Sequence, residues 1–333
     1  MINARPKTLL AMGPDVAARL IVGEARDRLV SIADVDPDLV AADFTDPAVA
    51  AALAEAEVLV TSWYCPPITE DVLARAPRLR AIVHAAGTVK HHVTEACWRR
   101  GLAVSSAAAA NAEPVAEYTL ASILFAGKRV LDIARVYREE RARVDLEARF
   151  PGFGNYRRTV GIIGASKIGR RVIELLRPFE LEVLVADPYL SENLGVAHVE
   201  LDELFERSDV VSLHAPELPE TRHLVDAARL ARMRDGATLI NTARGSLVDQ
   251  DALIAELSSG RLYAVIDVTE PDLLPPGSPL YDLPNVLLTP HIAGSLGGEL
   301  ARITHLALDE LARHAQGLPF AHGVAAEALA TSA

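Results

Sequence analysis

Cysteine is scarce in this chain, and the scarcity limits which cellular compartments and which kinds of site are expected. Only Cys65 and Cys97 occur, too few for the disulfide framework of a small secreted domain or for a four-cysteine zinc site. The HExxH pattern is missing, and no pair of cysteines has the spacing of metal ligands. We therefore expect a protein of the reducing cytoplasm without a bound metal.

Long apolar runs are missing as well. A membrane-spanning helix needs about 20 consecutive apolar residues. The longest uncharged run, 283–298, is interrupted by prolines, glycines, an asparagine and a histidine. The first residues lack the apolar stretch and the cleavage site of a signal peptide. No membrane association is therefore predicted.

Positive charge is in the minority. The chain has 33 Lys and Arg against 45 Asp and Glu, which is a formal net charge of −12 at pH 7. Such a surface repels the phosphates of nucleic acids and anionic lipids. Nucleic acid is therefore not expected as a partner.

The chain does contain enough sequence for two α/β domains. Its 333 residues suit two domains, and short β-rich apolar runs alternate with amphipathic helical stretches, which is typical of parallel α/β architecture. The predicted strands of the first part are Thr8–Met12, Leu29–Ala33, Glu57–Ser62, Arg80–His84 and Leu102–Ser105. Those of the second part are Thr159–Ile163, Leu181–Ala186, Asp209–Leu213, Ala237–Asn241, Tyr263–Val268 and Val286–Thr289.

Local signals also mark helices and one connector. Asp46 followed by Pro47 is typical of a helix start, with Asp as the N-cap. A longer helix is predicted from near Asn111 to beyond Lys128, and a last one over Glu299–Gln316. Residues 138–158 are charged and then rich in Gly, Pro and aromatic residues, which predicts a connector between domains.

The segment TVGIIGASKIGRRVIELLRPFELEVLVADPYL is typical of a βαβ dinucleotide site. The predicted strand Thr159–Ile163 leads into Gly164 and Gly169, a helix follows, and the next strand ends in Asp187. Gly164 permits a tight turn, and Gly169 permits close packing of helix and strand. The N-terminus of the helix presents free N–H groups to a pyrophosphate.

Two residues of this segment bear on the motif and on the choice of cofactor. Ser166 stands where the usual motif has its second glycine, and its hydroxyl is small enough to donate to a phosphate. Asp187 is placed to accept hydrogen bonds from the adenosine ribose and would repel a 2′-phosphate. The segment therefore predicts NAD as the cofactor rather than NADP.

Three later segments place a polar residue just after an apolar strand. They are DGATLINTARGSLVD with Arg244, YAVIDVTEP with Asp267, and NVLLTPHIAGS with His291. The carboxyl ends of parallel strands lie along one edge of a sheet, where ligands bind. These side chains are therefore expected to converge.

These motifs strongly resemble those of the D-isomer-specific 2-hydroxyacid dehydrogenase family, which includes phosphoglycerate dehydrogenases and glyoxylate/hydroxypyruvate reductases. The resemblance rests on Gly164–Gly169, HAP at His214–Pro216, NTARGSLVD at Asn241–Asp249 and TPHIAG at Thr289–Gly294. In the first part it rests on HAAGTV at His84–Val89 and ANAEPVAEYTL at Ala110–Leu120. It implies two doubly wound parallel-sheet domains, a Rossmann NAD domain inserted into a split, flavodoxin-like substrate domain.

The resemblance also implies roles for single residues. Arg244 would hold the substrate carboxylate and polarise the 2-oxo group. His291 would be the general acid and base. Ala86, Gly87 and Thr88 would bind the substrate carboxylate through backbone N–H groups. The implied NAD-binding residues are Gly164, Ser166, Lys167, Ile168, Gly169, Asp187, His214, Pro216, Thr242, Ala243, Arg244, Asp267, His291 and Gly294.

The carboxylate that would pair with His291 departs from the family pattern. The family usually places Glu five residues after the Asp of the DV pair, and this chain has Asp272 there. Glu270, followed by Pro271, imitates the motif two residues earlier. An ungapped comparison favours Asp272 as the partner, a local shift would make it Glu270, and a dyad in which neither works well is the third alternative.

The expected organisation follows from the resemblance. Residues 1–110 would form the first part of the substrate domain, 111–298 the NAD domain, and 299–333 a helix returning to the substrate domain. Members are usually homodimers that join through their NAD domains. The predicted function is NAD-dependent, reversible reduction of a small 2-oxo acid to the D-2-hydroxy acid. A non-catalytic NAD-sensing protein of the same fold is the alternative.

Overall fold

The computed structural model describes residues 5–330, which divide into two compact units. The first unit contains the described residues up to Ala112 and from Ser295 onward, and the second is Glu113–Gly294. The second unit is therefore an insertion in the chain of the first. No helix within 5–330 combines the length and the apolarity needed to cross a membrane.

A sheet of four parallel strands, in the order β1-β2-β3-β4, forms the centre of the first unit. Its elements in chain order are β1 (Thr8–Ala11), α1 (Pro14–Leu20), α2 (Gly23–Ile32), α3 (Pro47–Glu55), β2 (Val58–Thr61), α4 (Glu70–Arg75), β3 (Ala81–His84), α5 (Glu95–Arg99), β4 (Ala103–Ser106) and α6 (Ala108–Gly127). Helix α6 contains the boundary at Ala112. The C-terminal helix, Leu300–Ala315, also belongs to this unit.

The strands of this sheet are apolar along their length because both faces are covered. Successive side chains of a strand point to opposite faces. Leu9 and Leu59 accordingly belong to one buried cluster, and their neighbours Leu10 and Val60 belong to another. The sheet thus has a core on each side, which is usual for parallel sheets.

Both cysteines are buried in the first unit. Cys65 and Cys97 are free thiols in the cluster that contains Leu9. Burial raises the pKa of Cys65 to about 12 and also raises the pKa of Cys97. Neither thiol is therefore ionised at neutral pH.

One predicted strand of this unit is wrong. Residues 29–33 were predicted as a strand, but α2 extends through Ile32. Leu29 is completely buried, and Ala25 and Ile32 pack against the same cluster. Positions 25, 29 and 32 share one face of a helix, so the apolar residues of this segment follow a helical period. Within residues 5–330, isolated bridges at Asp34 and Val40 continue the sheet beside β1.

The second unit contains a sheet of seven parallel strands in the order β11-β10-β9-β8-β5-β6-β7. After α6, its elements are α7 (Val130–Glu140), α8 (Leu146–Arg149), β5 (Thr159–Ile163), α9 (Lys167–Leu176), β6 (Glu182–Ala186), β7 (Ala197–His198), α10 (Leu201–Arg207), β8 (Val210–Leu213), α11 (Ala227–Arg232), β9 (Thr238–Asn241), α12 (Gln250–Ser258), β10 (Tyr263–Ile266) and β11 (Val286–Leu288). The strand order reverses between β5 and β8, and ligands of open parallel sheets bind outside the carboxyl ends at such a point.

The predicted connector lies inside the second unit. Residues 138–158 contain the end of α7, all of α8 and the loop before β5. Asn155 Nδ2 donates to the Leu124 carbonyl at 3.1 Å, and Arg158 forms an ion pair with Asp209 at 3.0 Å. The Gly- and Pro-rich composition therefore marks a loop that is held within one unit, not a link between two.

Candidate active site

The turn after β5 has the two glycines of the predicted dinucleotide site, and close contacts require both. Gly164 has a φ of +93°, and a Cβ atom there would lie 2.7 Å from the Ala215 backbone nitrogen. A Cβ atom on Gly169 would overlap the Gly164 carbonyl oxygen. The two glycines therefore allow the start of α9 to lie against the end of β5.

The N-terminus of α9 presents unused hydrogen-bond donors. Ser166 is the N-cap, and its Oγ accepts a hydrogen bond from the Gly169 N–H at 3.3 Å. The N–H groups of Ser166, Lys167 and Ile168 have no acceptor in the described part of the chain. Free N–H groups at a helix N-terminus suit a phosphate, and the Ser166 O–H proton stays available as a further donor. This end of α9 fits the pyrophosphate of NAD.

Asp187 lies after β6, beside the glycine turn. Its Oδ2 accepts from the Ala165 N–H at 2.6 Å, and its Oδ1 accepts from the Tyr189 N–H at 2.8 Å. A carboxylate oxygen can accept two hydrogen bonds, so each oxygen still has a lone pair. Asp187 therefore orients the glycine turn and can also accept from ribose hydroxyls.

His214 follows β8 and has one nitrogen without a partner. Its Nε2 lies 2.9 Å from Ser212 Oγ, whereas the buried Nδ1 has no hydrogen-bond partner within residues 5–330. Burial lowers the pKa of His214 to about 3, so the ring is neutral at pH 7. An unsatisfied buried nitrogen is costly, and a ligand hydroxyl or amide would satisfy it. Pro216, two residues later, accepts from the Thr221 hydroxyl at 2.7 Å through its carbonyl.

Arg244 lies in the turn after β9, and Asn241 braces this turn from both sides. Asn241 Nδ2 donates to the Arg244 carbonyl at 2.8 Å, and its Oδ1 accepts from the Ala243 N–H at 3.1 Å. Thr242 Oγ1 lies 3.2 Å from Thr119 Oγ1 of α6. The half-buried Arg244 donates through Nη1 to the Ala243 carbonyl at 2.6 Å, and it has no carboxylate partner among the described residues. Its guanidinium therefore keeps most of its donors for a ligand.

Asp267 lies after β10 and organises the loop that follows β11. Its Oδ1 accepts from the Thr289 hydroxyl at 2.6 Å and from the Ile292 N–H at 2.8 Å, and its Oδ2 accepts from the Ala293 N–H at 2.8 Å. Its carbonyl accepts from the His291 N–H at 2.8 Å. The side chain is 2% exposed. Three of the four hydrogen bonds that this carboxylate can accept are thus made within the protein.

His291 is held in an uncommon backbone conformation. Its φ is +57°, a region that few residues other than glycine adopt. The side chain is exposed, and no acid or hydrogen-bond partner contacts its ring in the described chain. Gly294 follows at the end of the same loop. The bonds from Asp267 hold this conformation, so the imidazole is presented to a ligand and not to the core.

Neither predicted acid contacts His291. Glu270 forms an ion pair with Arg222 at 2.9 Å, and its N–H donates to Gln250 Oε1. The Asp272 side chain is exposed and has no partner within residues 5–330. The structure therefore does not bring the predicted acid–histidine pair together: Glu270 is committed to Arg222, and the carboxylate of Asp272 contacts no side chain within the described residues.

The first unit carries the predicted carboxylate-binding residues in the segment 85–89, which we call the β3 loop because it follows β3. Ala86 is buried, and Gly87 and Thr88 are half-buried. The N–H groups of these three residues have no acceptor among the residues described. Three successive unpaired N–H groups can bind an anion.

Comparison with known proteins connects this geometry to a family. The profile described as "D-isomer specific 2-hydroxyacid dehydrogenase, NAD binding domain" matches residues 120–293. A glyoxylate reductase of Korarchaeum cryptofilum is 35% identical over 258 residues, which are 75% of this chain and 77% of the relative. The chain belongs to the D-isomer-specific 2-hydroxyacid dehydrogenase family.

Two other members of this family are also similar to the chain. A D-3-phosphoglycerate dehydrogenase of Mycobacterium bovis is 31% identical over 91% of this chain, but the chain spans only 55% of that relative's length. The D-lactate dehydrogenase of Aquifex aeolicus, solved with NAD and lactic acid, is 28% identical with a TM-score of 0.75, covering 96% of this chain and 100% of its own.

Membership of the D-isomer-specific 2-hydroxyacid dehydrogenase family confirms four predictions from the sequence. They are the family itself, the two-domain parallel α/β fold, the class of NAD-dependent oxidoreductases and the NAD cofactor. The roles of the single site residues remain predictions.

Some residues that shape this dehydrogenase's site were not predicted. Asn241 and Thr289 lie inside quoted motifs but had no assigned role, and Tyr118 lies 2.9 Å from Thr289 through the two hydroxyl oxygens. Tyr118 and Thr119 are adjacent in α6 and contact the loops after β11 and β9, respectively. Adjacent polar residues in an apolar helix were the available signal.

Proposed function

We propose that this dehydrogenase interconverts a small 2-oxo acid and its D-2-hydroxy acid, with Arg244 and His291 as its catalytic residues. The observation that carries the proposal is the arrangement of the second unit's sheet. Arg244 follows β9, His291 follows β11, and Asp267 follows the strand between them and holds the His291 loop. The relatives named above are a glyoxylate reductase, a phosphoglycerate dehydrogenase and a lactate dehydrogenase, and none of them supports a non-catalytic role.

The chain's own residues perform two tasks at the substrate. Arg244 binds the carboxylate and polarises the 2-oxo group through its planar guanidinium. In the first unit, the free N–H groups of Ala86, Gly87 and Thr88 have the chemistry to bind a carboxylate. His291 donates a proton to the carbonyl oxygen during reduction and accepts it in the reverse direction. Bound NADH supplies the hydride.

The residues that would hold NAD fit its chemistry. The N–H groups at the start of α9 suit the pyrophosphate, and Asp187 suits the ribose. The unsatisfied Nδ1 of His214 suits a polar group of the cofactor. The nicotinamide side would be lined by residues that follow β8, β9, β10 and β11. They are Pro216, Thr242, Ala243, Asp267 and Gly294.

We propose Asp272 as the carboxylate that supports His291 during turnover. Glu270 is already paired with Arg222, whereas Asp272 is uncommitted within the described residues. A carboxylate beside His291 would stabilise the imidazolium, which is the form that donates the proton during reduction. Asp272→Asn should therefore move the alkaline limb of kcat/KM for reduction to lower pH, and Glu270→Gln should leave it in place. If only Glu270→Gln moves the limb, Glu270 has the role; if neither does, His291 works without a carboxylate.

The decisive experiment is steady-state NADH oxidation with a panel of 2-oxo acids: glyoxylate, hydroxypyruvate, pyruvate, phenylpyruvate and oxaloacetate. Saturable turnover of at least one is expected. His291→Asn, which tolerates a positive φ, should lower kcat roughly 10²–10⁴-fold with little change in NADH affinity. His223→Asn is the matched control because His223 is also exposed and has a φ of +51°. Absence of turnover with every acid, or normal turnover by His291→Asn when chemistry limits the rate, would refute the proposal.

We further propose that the second unit is the NAD domain, that the first is the substrate domain, and that the protein is a cytoplasmic homodimer joined through its second units. An apolar groove beside α6 and β11 supports the dimer. Phe125 and Leu131 border this groove and are 52% and 43% exposed, which is unusual for large apolar side chains unless a partner covers them. Light scattering of wild type and of Phe125→Glu tests this, since a charge there should favour the monomer.

A further inference from the structure

The loop after β11 begins at Thr289, and both the backbone and the side chain of this residue form hydrogen bonds. Its N–H donates to the Ile266 carbonyl at 2.9 Å, and its carbonyl accepts from the His291 N–H at 3.1 Å. Its hydroxyl donates to Asp267 Oδ1 at 2.6 Å and lies 2.9 Å from the hydroxyl oxygen of Tyr118 in α6. Thr289 therefore connects α6 and the end of β10 with the histidine of this loop.

The number of protons fixes the direction of these hydrogen bonds. A threonine hydroxyl has one proton, and Thr289 gives it to the Asp267 carboxylate. The Tyr118 hydroxyl must therefore donate to Thr289 Oγ1. Burial raises the pKa of Tyr118, so the phenol keeps this proton at neutral pH. Bonds in such a chain polarise one another, so the bond from Tyr118 strengthens the bond from Thr289 to Asp267.

The conformation of His291 depends on Thr289 and Asp267. A φ of +57° is costly for a histidine, and such a conformation persists only where the surrounding contacts impose it. The ring has no partner in the described chain, so the backbone bonds must impose it. The His291 N–H donates to the carbonyls of Asp267 and Thr289, and the N–H groups of Ile292 and Ala293 donate to the Asp267 carboxylate.

The bonded hydroxyl of Tyr118 is not a requirement of packing. Tyr118 and Tyr263 are both half-buried and both border the apolar groove described above. The Tyr263 hydroxyl has no hydrogen-bond partner within residues 5–330. A tyrosine ring therefore packs along this groove without a bonded hydroxyl, and the bond from Tyr118 needs another explanation.

We propose that Tyr118 and Thr289 are positioning residues, which hold His291 in its strained conformation and so keep its imidazole available to the substrate. The inference rests on the proposed function, in which His291 is the general acid and base. Neither Tyr118 nor Thr289 needs to touch the substrate. Tyr118 acts through the Thr289 hydroxyl, and Thr289 acts through its own carbonyl and through the Asp267 carboxylate.

The first test measures NADH oxidation in single turnovers with the best 2-oxo acid of the panel. Tyr118→Phe keeps the ring, and it should lower this rate about three- to tenfold, the effect of one lost hydrogen bond. The KM values for the oxo acid and for NADH should stay near wild type. Tyr263→Phe is the matched control, since it makes the same chemical change beside the same groove and should leave the rate unchanged.

Substitutions at Thr289 test whether Tyr118 acts through this residue. Thr289→Val has nearly the same shape but removes the hydroxyl, so it should lower the rate further than Tyr118→Phe does. Thr289→Ser, which keeps the hydroxyl, should restore the rate. The double variant Tyr118→Phe/Thr289→Val should be no slower than Thr289→Val alone, because residues that act in series are not additive.

Hydrogen exchange measures the loop without relying on catalysis. The backbone N–H groups of residues 291–293 should exchange about three- to tenfold faster in Tyr118→Phe, because less free energy is needed to open the loop, and at the wild-type rate in Tyr263→Phe. Unchanged exchange in Tyr118→Phe, or rate effects that multiply in the double variant, would overturn the inference. If the wild-type protein reduces no 2-oxo acid, the proposed function fails, and the exchange experiment still decides whether Tyr118 holds the loop.

Discussion

Replacing Asp267 with asparagine should lower the free energy of unfolding of the second unit and lower kcat by releasing the His291 loop. We expect this although the two side chains have nearly the same shape. The Asp267 carboxylate accepts three hydrogen bonds, from the Thr289 hydroxyl and from the N–H groups of Ile292 and Ala293. An amide has only one oxygen. If that oxygen takes the place of Oδ1, the NH₂ group faces the Ala293 N–H, and two donors oppose each other.

The magnitude follows from those three bonds. One charge-assisted hydrogen bond, worth about 1.5–3 kcal/mol, is lost, and its former donor is left buried without an acceptor. The other two bonds become neutral and lose roughly half their strength. The neutral amide avoids the desolvation of a buried carboxylate, which offsets part of this loss. We expect the free energy of unfolding to fall by about 2–4 kcal/mol, a large share of the roughly 5–15 kcal/mol of a typical domain.

Urea denaturation followed by far-UV circular dichroism measures the change, together with kcat for the best oxo acid. Asp272→Asn is the matched control for stability. It makes the same chemical change five residues away in the same loop, on an exposed side chain without a partner in the described chain. Its unfolding free energy should change by no more than about 0.5 kcal/mol. A loss below about 1 kcal/mol in Asp267→Asn, with normal kcat, would show that Asp267 does not hold the His291 loop.

Three other outcomes are expected. Asp187→Ala should weaken NADH relative to NADPH by about 1–3 kcal/mol, because ribose hydrogen bonds are lost; equal use of both cofactors by the wild-type enzyme would contradict the assignment. Gly169→Ala should destabilise the protein and raise the KM for NADH, because its Cβ would push α9 away from the Gly164 carbonyl, and unchanged values would contradict this packing. Acid should destabilise the fold: His92 has a pKa of about 4 when folded and about 6.5 when unfolded, so the unfolded chain binds more protons between these values and about 2 kcal/mol is lost between pH 7 and pH 5. His92→Phe should reduce that loss in urea titrations at the two pH values.

Local patterns predicted the parts of the site that depend on nearby residues. Gly164, Gly169 and Asp187 lie within one βαβ unit, so their spacing alone places them around one turn. Arg244, Asp267 and His291 were placed correctly at one edge because each directly follows an apolar strand. The same kind of analysis gave a wrong result for the segment 29–33. Its apolar residues fit both a strand and a helix, and the segment forms a helix because that conformation buries Leu29 and Ile32 on one face.

Contacts between distant residues could not be predicted in this way. Glu270 is committed to Arg222, which is 48 residues away, so the choice between Glu270 and Asp272 depends on the path of two loops. The hydrogen-bond partner of His84 could not be predicted from the sequence for the same reason. Its partner Thr61 lies 23 residues earlier, on the neighbouring strand, and only the strand register joins them.

The positions of the two buried cysteines mean that thiol labelling reports on the first unit and not on the second. Cys65 and Cys97 both lie in the first unit, and so do both tryptophans, Trp63 and Trp98. A thiol reagent at neutral pH will react only when the first unit opens, since burial keeps the thiols protonated and covered. Thiol modification and tryptophan fluorescence thus both follow the unit that carries the β3 loop, and a single probe introduced into the second unit would separate the opening of the two.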